Sequence, residues 1–264
     1  MAVRFVGVDL AWSPCNPSAA AALGLKGEVG ELTTWTDQLR DDDEIVAFVR
    51  KATGEGPALI AIDAPLVVPN EEGTRPCDRE VSKAFRSQEA GAYPANRRKF
   101  GGRVRGENLV RRLERMGFEH SPYIPARTPV RQVIEVYPHP AAVRLFGLDR
   151  TLKYKARPGR SYSLRWAELR RYQRCLRSLK DPGLSVEEIL EVYVEGLRGG
   201  ALKRYEDLID ALFCAYIGLY CWYWGPEGYQ VFGDLDEGYI AVPRKGGNLW
   251  EDSRPSRSPF LQRW

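Results

Sequence analysis

Histidine is nearly missing from this chain: His120 and His139 are the only two in 264 residues. That excludes a histidine-built zinc or copper centre, so any bound metal would be a hard cation held by carboxylates. Cysteine adds no metal site. Cys15, Cys77, Cys175, Cys214 and Cys221 are odd in number and contain no Cys-x-x-Cys pair, which argues against a disulfide framework and a thiolate zinc site. Cys77, close to Arg75 and Arg79, is the one thiol whose neighbours would lower its pKa, yet no adjacent histidine completes a dyad. The first residues carry no charged leader with an apolar core, so no secretory signal is read. A comfortable membrane span is also lacking. The most apolar stretch, Leu208 to Trp224, is short for one and carries Asp210, so it reads as a helix through the centre of a soluble, cytoplasmic domain.

What the chain does have is arginine, thirty against nine lysines, unevenly placed. The net charge is only +4, but Arg75 to Arg131 holds fourteen basic residues against six acidic, and Arg144 to Lys180 twelve against two. Arginine suits bidentate phosphate contacts. A concentrated basic middle makes nucleic acid a plausible partner; a solvated surface of scattered charge is the competing reading.

The hydrophobic pattern predicts an α/β fold. Val3 to Leu10, Ala19 to Leu25 and Gly30 to Trp35 read as three strands of an antiparallel meander. Asp41 to Lys51 reads as a helix with acids at its positive end. Ala58 to Asp63 is apolar throughout until its last residue, as expected of a strand covered on both faces. Residues 66–128 form a long, Pro-, Gly- and Arg-rich insert with a helix from Gly106 to Met116. Val130 to Tyr137 is a further strand, and helices follow near Ala141, over Ser163 to Leu179, over Ser185 to Gly196 behind a capping-box-like Ser185-x-x-Glu188, and over Tyr205 to Trp222. A last strand is placed at Gly238 to Val242, and residues 244–264 read as a tail packed on a domain of residues 1–243.

Three acids stand at or near the ends of apolar strands: Asp9, Asp63 and Glu135. Buried carboxylates are costly unless paired, hydrogen-bonded or bound to metal. One alone would be a turn-maker; three in one sheet point to a site outside the carboxyl ends of the strands. Asp207 and Asp210 share one face of the apolar helix. Asp207 is equally suited to compensating the helix dipole, whereas Asp210 lies a turn deeper, next to the small Ala211 and Cys214. Carboxylates without histidine suit Mg²⁺ or Mn²⁺, and two such ions can promote phosphodiester hydrolysis.

The segments Gly7-Val8-Asp9-Leu10-Ala11-Trp12, Ile62-Asp63-Ala64-Pro65-Leu66, Glu135-Val136-Tyr137-Pro138-His139-Pro140 and Asp207-x-x-Asp210-Ala211 resemble, in this order, the DUF429 family, whose members are described as ribonuclease H-like nucleases. Arg75-Pro76-Cys77-Asp78-Arg79, Lys153-Tyr154-Lys155 and Gly238 to Pro243 fit the same resemblance. The late Asp-x-x-Asp is also similar to the last catalytic helix of RuvC-type resolvases, which carry Glu where this chain has Asp63. These resemblances imply a mixed five-stranded ribonuclease H-like sheet flanked by helices. They also imply that Asp9, Asp63 and Asp207 or Asp210 are metal ligands, with Glu135 a ligand or water-positioning group. Arg97, Arg98, Lys99, Arg103 and Arg105 of the insert, with Lys153 and Lys155, would then contact phosphates. His139 near Glu135 is a candidate for proton transfer, against a loop histidine that fixes a turn.

The function expected is a Mg²⁺- or Mn²⁺-dependent nuclease acting on DNA or RNA. The alternatives are a nucleic-acid-binding protein with an inactive site and, less favoured, an ATP-binding protein of the sugar kinase or actin type. The last needs a glycine-rich phosphate loop, and Leu10-Ala11-Trp12-Ser13-Pro14 after Asp9 has none. Sequence leaves the oligomeric state open, a homodimer included.

Overall fold

A computed structural model describes residues 2–13 and 15–244, so all but Arg244 of the expected C-terminal tail lies outside the described residues. The element order is β1 (Arg4–Asp9), β2 (Ser18–Lys26), β3 (Val29–Leu39), α1 (Asp42–Thr53), β4 (Ala58–Asp63), α2 (Pro76–Ala84), α3 (Arg105–Glu114), β5 (Glu119–His120), β6 (Arg131–Glu135), α4 (Pro138–Phe146), α5 (Tyr162–Arg177), β7 (Gly183–Ser185), α6 (Glu187–Leu190), α7 (Gly199–Trp224), β8 (Tyr229–Asp234) and β9 (Gly238–Pro243). The main sheet runs β5-β6-β4-β1-β2-β3-β7. Only the β1–β2 and β2–β3 pairs are antiparallel. The protein is therefore a mixed α/β fold with a mostly parallel sheet.

The sheet has seven strands rather than five. The two extra strands are edge pieces, β5 of two residues and β7 of three. β7 takes Ser185, so the helix expected over Ser185 to Gly196 is broken: α6 spans only Glu187–Leu190, and the Ser185 hydroxyl donates to Glu187 instead of capping a helix. The last strand, β9, pairs with β8 as a separate hairpin. The segment 66–128 is not a loose insert. It contributes α2 and α3, and α3 packs Leu109, Val110 and Leu113 into the core.

Side chains alternate between the two faces of the sheet. Phe5, Leu59, Ala61 and Ile134 face α7, whereas Val6, Val8, Ile60, Ile62 and Val133 face α1 and α3. α1 is capped by Asp41, whose side chain accepts from Glu44 N at 2.8 Å. α7 has the length and composition of a membrane span, but 94% of its most apolar window is buried inside the protein, so it is the core helix. Small residues on α7 let it lie almost on the sheet. An added Cβ at Gly7 would come within 2.0 Å of Ala211 O and 2.2 Å of Ala215 N, and one at Gly218 would touch Ala61. This close approach brings Asp207 and Asp210, about two to three turns into α7, to the carboxyl end of β1.

Candidate carboxylate site

Asp9 and Asp63 end β1 and β4 and are register partners in the parallel pair. Their places follow from the pleat: Phe5, Gly7 and Asp9 share one face, as do Leu59, Ala61 and Asp63, and it is the face that α7 covers. Asp207 and Asp210 come down from α7. All three of Asp9, Asp207 and Asp210 surround one ammonium. Lys155 Nζ lies 3.6 Å from Asp9 Oδ2, 3.6 Å from Asp207 Oδ1 and in direct contact with Asp210 Oδ2. Asp210 is the best-held acid. Its other oxygen accepts from Tyr154 OH at 2.6 Å and Tyr172 OH at 3.3 Å. Asp207 is also paired with Lys203, one turn back on the helix.

The electrostatics follow from four acids in little water. Burial pushes Asp9 up to about 7, with Lys155 pulling down and Asp207 and Asp210 adding to the rise. Burial, then Asp9, pushes Asp63 well above the usual carboxylate range. Burial alone would lower Lys155, but Asp210, Asp9 and Asp207 outweigh it and hold the ammonium charged. Asp9 Oδ2 is buried without a hydrogen-bond partner. Between the ordinary 3.8 and about 7, folded Asp9 keeps a proton that the unfolded chain has released, so its contribution to stability falls as pH rises through that window. Asp9→Asn should therefore gain stability relative to the native protein as pH climbs from about 4 to about 7 in a chelator, read by urea unfolding. A stability difference that stays flat across that range would refute the assignment.

Glu135 stands apart. By the pleat it follows Val133 on the face opposite to that of Asp9 and Asp63, and at the strand end it shares one small hollow with Asp63. Arg75, 1% exposed, grips it with Nη2 at 2.6 Å and Nη1 at 3.0 Å, and also donates to Asp78. Burial pushes Glu135 up to about 7 against the pull of Arg75. The pair clamps the turn that follows Asp63: Leu66 N donates to Glu135 at 2.7 Å and Arg75 donates to Val67 O at 2.9 Å. Glu135→Gln should cost about 3 kcal/mol in denaturant unfolding, since it leaves a buried guanidinium half-paired. A change below about 1 kcal/mol would show that the clamp is not needed.

His139 is half-buried with its ring against Tyr137 and Tyr154, and Nδ1 lies 3.2 Å from Thr151 Oγ1. Its charged neighbours include Asp210 and Lys155 rather than Glu135, and burial lowers it to about 4, so it is neutral near neutral pH. The Cys77 thiol is likewise not activated: burial pushes it up in spite of Arg75.

Asp9, Asp63 and Asp207 line a cavity of about 870 Å³, and Asp210, 1% exposed, is buried behind them. The cavity's basic wall includes the expected Lys153 and Lys155 but not the expected insert arginines. Lys153, Lys155, Arg157, Arg160, Lys203 and Arg204 line it, and the arginines of residues 97–105 do not. Arg97 is paired with Glu107, Arg98 with Glu72, and Lys99 donates to Pro94 O. Arg103 lines a separate, shallower hollow. Arg105 is 6% exposed and holds Asp42 at 2.7 Å and Ala11 O at 2.8 Å, which fixes the turn after Asp9. Lys153 pairs with Glu89 at the cavity rim. Sequence reasoning missed Tyr154 and Tyr172 as partners of Asp210, and Arg157, Arg160, Lys203 and Arg204 as wall residues. For Tyr154 a signal existed, the Lys153-Tyr154-Lys155 segment.

Fold and site together define an α/β protein with an acidic cluster at the strand ends, set in a basic cavity. The chain belongs to the family described as Protein of unknown function (DUF429), which matches residues 7–235. No curated protein matches the chain, and no solved structure does.

Proposed function

We propose that this protein is a Mg²⁺- or Mn²⁺-dependent nuclease with a ribonuclease H-like core. The observation that carries the reading is the gathering of four acids, from two adjacent strand ends and one helix, beside a cavity walled by cations and lined by three of them. The sheet supports it. Strands β3-β2-β1-β4-β6, with β1 to β3 antiparallel and β4 and β6 parallel to β1, have the order of a ribonuclease H-like sheet, and β5 and β7 only extend its edges. Acids at the ends of β1 and β4 and on the late helix are also what the resemblance to RuvC-type resolvases implies.

The donor set fits a hard divalent cation. Its ligand atoms are all carboxylate oxygens, one of them, Asp9 Oδ2, is buried without a hydrogen bond, and the cluster already gathers a cation, the Lys155 ammonium. As the side chains stand, no three His, Cys, Asp or Glu among the described residues are gathered tightly enough to hold an ion. Loading therefore requires the Lys155 ammonium to withdraw. Asp9, Asp63, Asp207 and Asp210 would hold the ion, and it would supply Lewis acidity and a water of lowered pKa. The chain's own residues do the rest. Tyr154 and Tyr172 orient Asp210, Arg105 fixes the turn behind Asp9, and the displaced Lys155, with Arg157 and Arg160, neutralises phosphate.

One observation favours a second reading: the Lys155 ammonium stands among three of the acids as a resident counter-ion. On that reading the protein binds nucleic acid and hydrolyses nothing. Labelled single-stranded, duplex, hybrid and branched oligonucleotides incubated with Mn²⁺ separate the two. The nuclease reading requires cleavage that chelator abolishes; salt-sensitive binding with no cleavage of any substrate would leave the second reading standing.

A further inference from the structure

Two aromatic side chains stand unusually free at the mouth of the cavity. Trp12 is 41% exposed and Tyr93 55% exposed, and both line the cavity that holds the carboxylates. Neither belongs to the core clusters. Trp12 is backed by Phe100, ring centroids 5.1 Å apart and tilted by 58°, which props the indole rather than covering it. Its position is tied to the acids, because it lies three residues after Asp9 and Arg105 holds the carbonyl of Ala11 between them. Tyr93 is anchored from the other side: Arg157 donates to its hydroxyl and lies 5.6 Å from the ring centroid.

Flat apolar rings beside cations, above recessed acids, are what an unstacked nucleotide meets with its base and its phosphate at once. We propose that the substrate is a single-stranded nucleic-acid segment, with one base stacked on Trp12 and its phosphate turned in towards Arg157, Arg160 and Lys155. This deepens the nuclease reading and rests on it. Two features favour a single strand over a duplex. Bases in a duplex have their faces covered by their neighbours, so the exposed indole would have nothing to stack on. The acids also sit at the bottom of a recess: the Asp9, Asp207 and Asp210 side chains are 15%, 10% and 1% exposed. At about 870 Å³ the cavity is the size of a pocket for one compact ligand, not of a groove that runs along a helix.

The test is fluorescence anisotropy in chelator at low salt, so that binding is read without cleavage. The probes are labelled oligothymidylate of a dozen nucleotides and a blunt hairpin duplex, each titrated with the native protein, Trp12→Ala, Trp12→Phe and Tyr93→Ala. The expected result is single-strand binding at least about tenfold tighter than duplex binding. Trp12→Ala should weaken the single strand by at least about fivefold, and Trp12→Phe should restore most of it. Circular dichroism of each variant shows that the loss is not unfolding. Equal affinity for duplex and single strand, or a Trp12→Ala variant that binds the single strand like the native protein, would overturn this inference and leave the nuclease reading intact. A native protein that binds neither probe would also overturn this inference, and the Mn²⁺ cleavage assay would then decide the nuclease reading on its own.

Discussion

Asp210→Asn should hydrolyse a labelled oligonucleotide at least about a thousandfold more slowly than the native protein at saturating Mn²⁺. Asparagine keeps the size of the side chain and the oxygen that accepts from Tyr154 and Tyr172. What it removes is one negative charge, the one in direct contact with Lys155. A thousandfold loss is about 4 kcal/mol of transition-state stabilisation, the scale reached when a preorganised electrostatic contact is deleted from a water-poor site. Folding should survive, because Lys155 keeps Asp9 and Asp207 as partners. Single-turnover rates with a thermal melt of the same preparation separate the two effects. A well-folded Asp210→Asn protein that cleaves within about tenfold of native would remove Asp210 from the reaction.

Gly7→Val should yield no folded protein, and Gly7→Ala should lose at least about 3 kcal/mol. The argument is geometric. A Cβ at Gly7 meets Ala211 O at 2.0 Å, Ala215 N at 2.2 Å and Cys214 C at 2.9 Å. All three are backbone atoms of a helix, so no rotamer change relieves the clash; α7 would have to move off β1 as a body. That movement would open the core at Phe5, Leu59 and Ala61 and carry Asp207 and Asp210 away from Asp9. Gly27 gives the contrast. Its φ of 60° disfavours a side chain but nothing lies within 4 Å, so Gly27→Ala should cost only about 1 kcal/mol. Urea unfolding of both alanine variants checks the pair, and a Gly7→Ala cost no greater than that of Gly27→Ala would contradict the close-approach account.

The parts of this architecture legible in the sequence were those with a strong local cause. β1 and β4 are apolar runs closed by an acid, α1 begins at a run of four acids, and the α7 run has no charged interruption after Asp210. The orientation of Glu135 was hidden for another reason. β6 offers one apolar residue to each face, Val133 and Ile134, so nothing in Arg131–Glu135 says which face its last acid joins. Only the register does, and it sends Glu135 to the side of Val133, where Arg75 holds it. The edge strands β5 and β7 are too short to leave a pattern. Basic residues mislead for a different reason. Arg105 and Lys155 both sit in basic stretches, yet Arg105 is consumed by Asp42 and Ala11, and Lys155 is drawn in among acids far along the chain. Long-range pairing of that kind is invisible to local charge counting.

The central claim, four carboxylates that share a divalent cation, is tested most directly by calorimetric titration of Mn²⁺ into the native protein, Asp9→Asn and Asp210→Asn, all previously treated with chelator. Saturable, stoichiometric binding to the native protein, lost or weakened at least about tenfold in both variants, is the predicted result. No saturable binding to the native protein, or equal binding to all three, would contradict it.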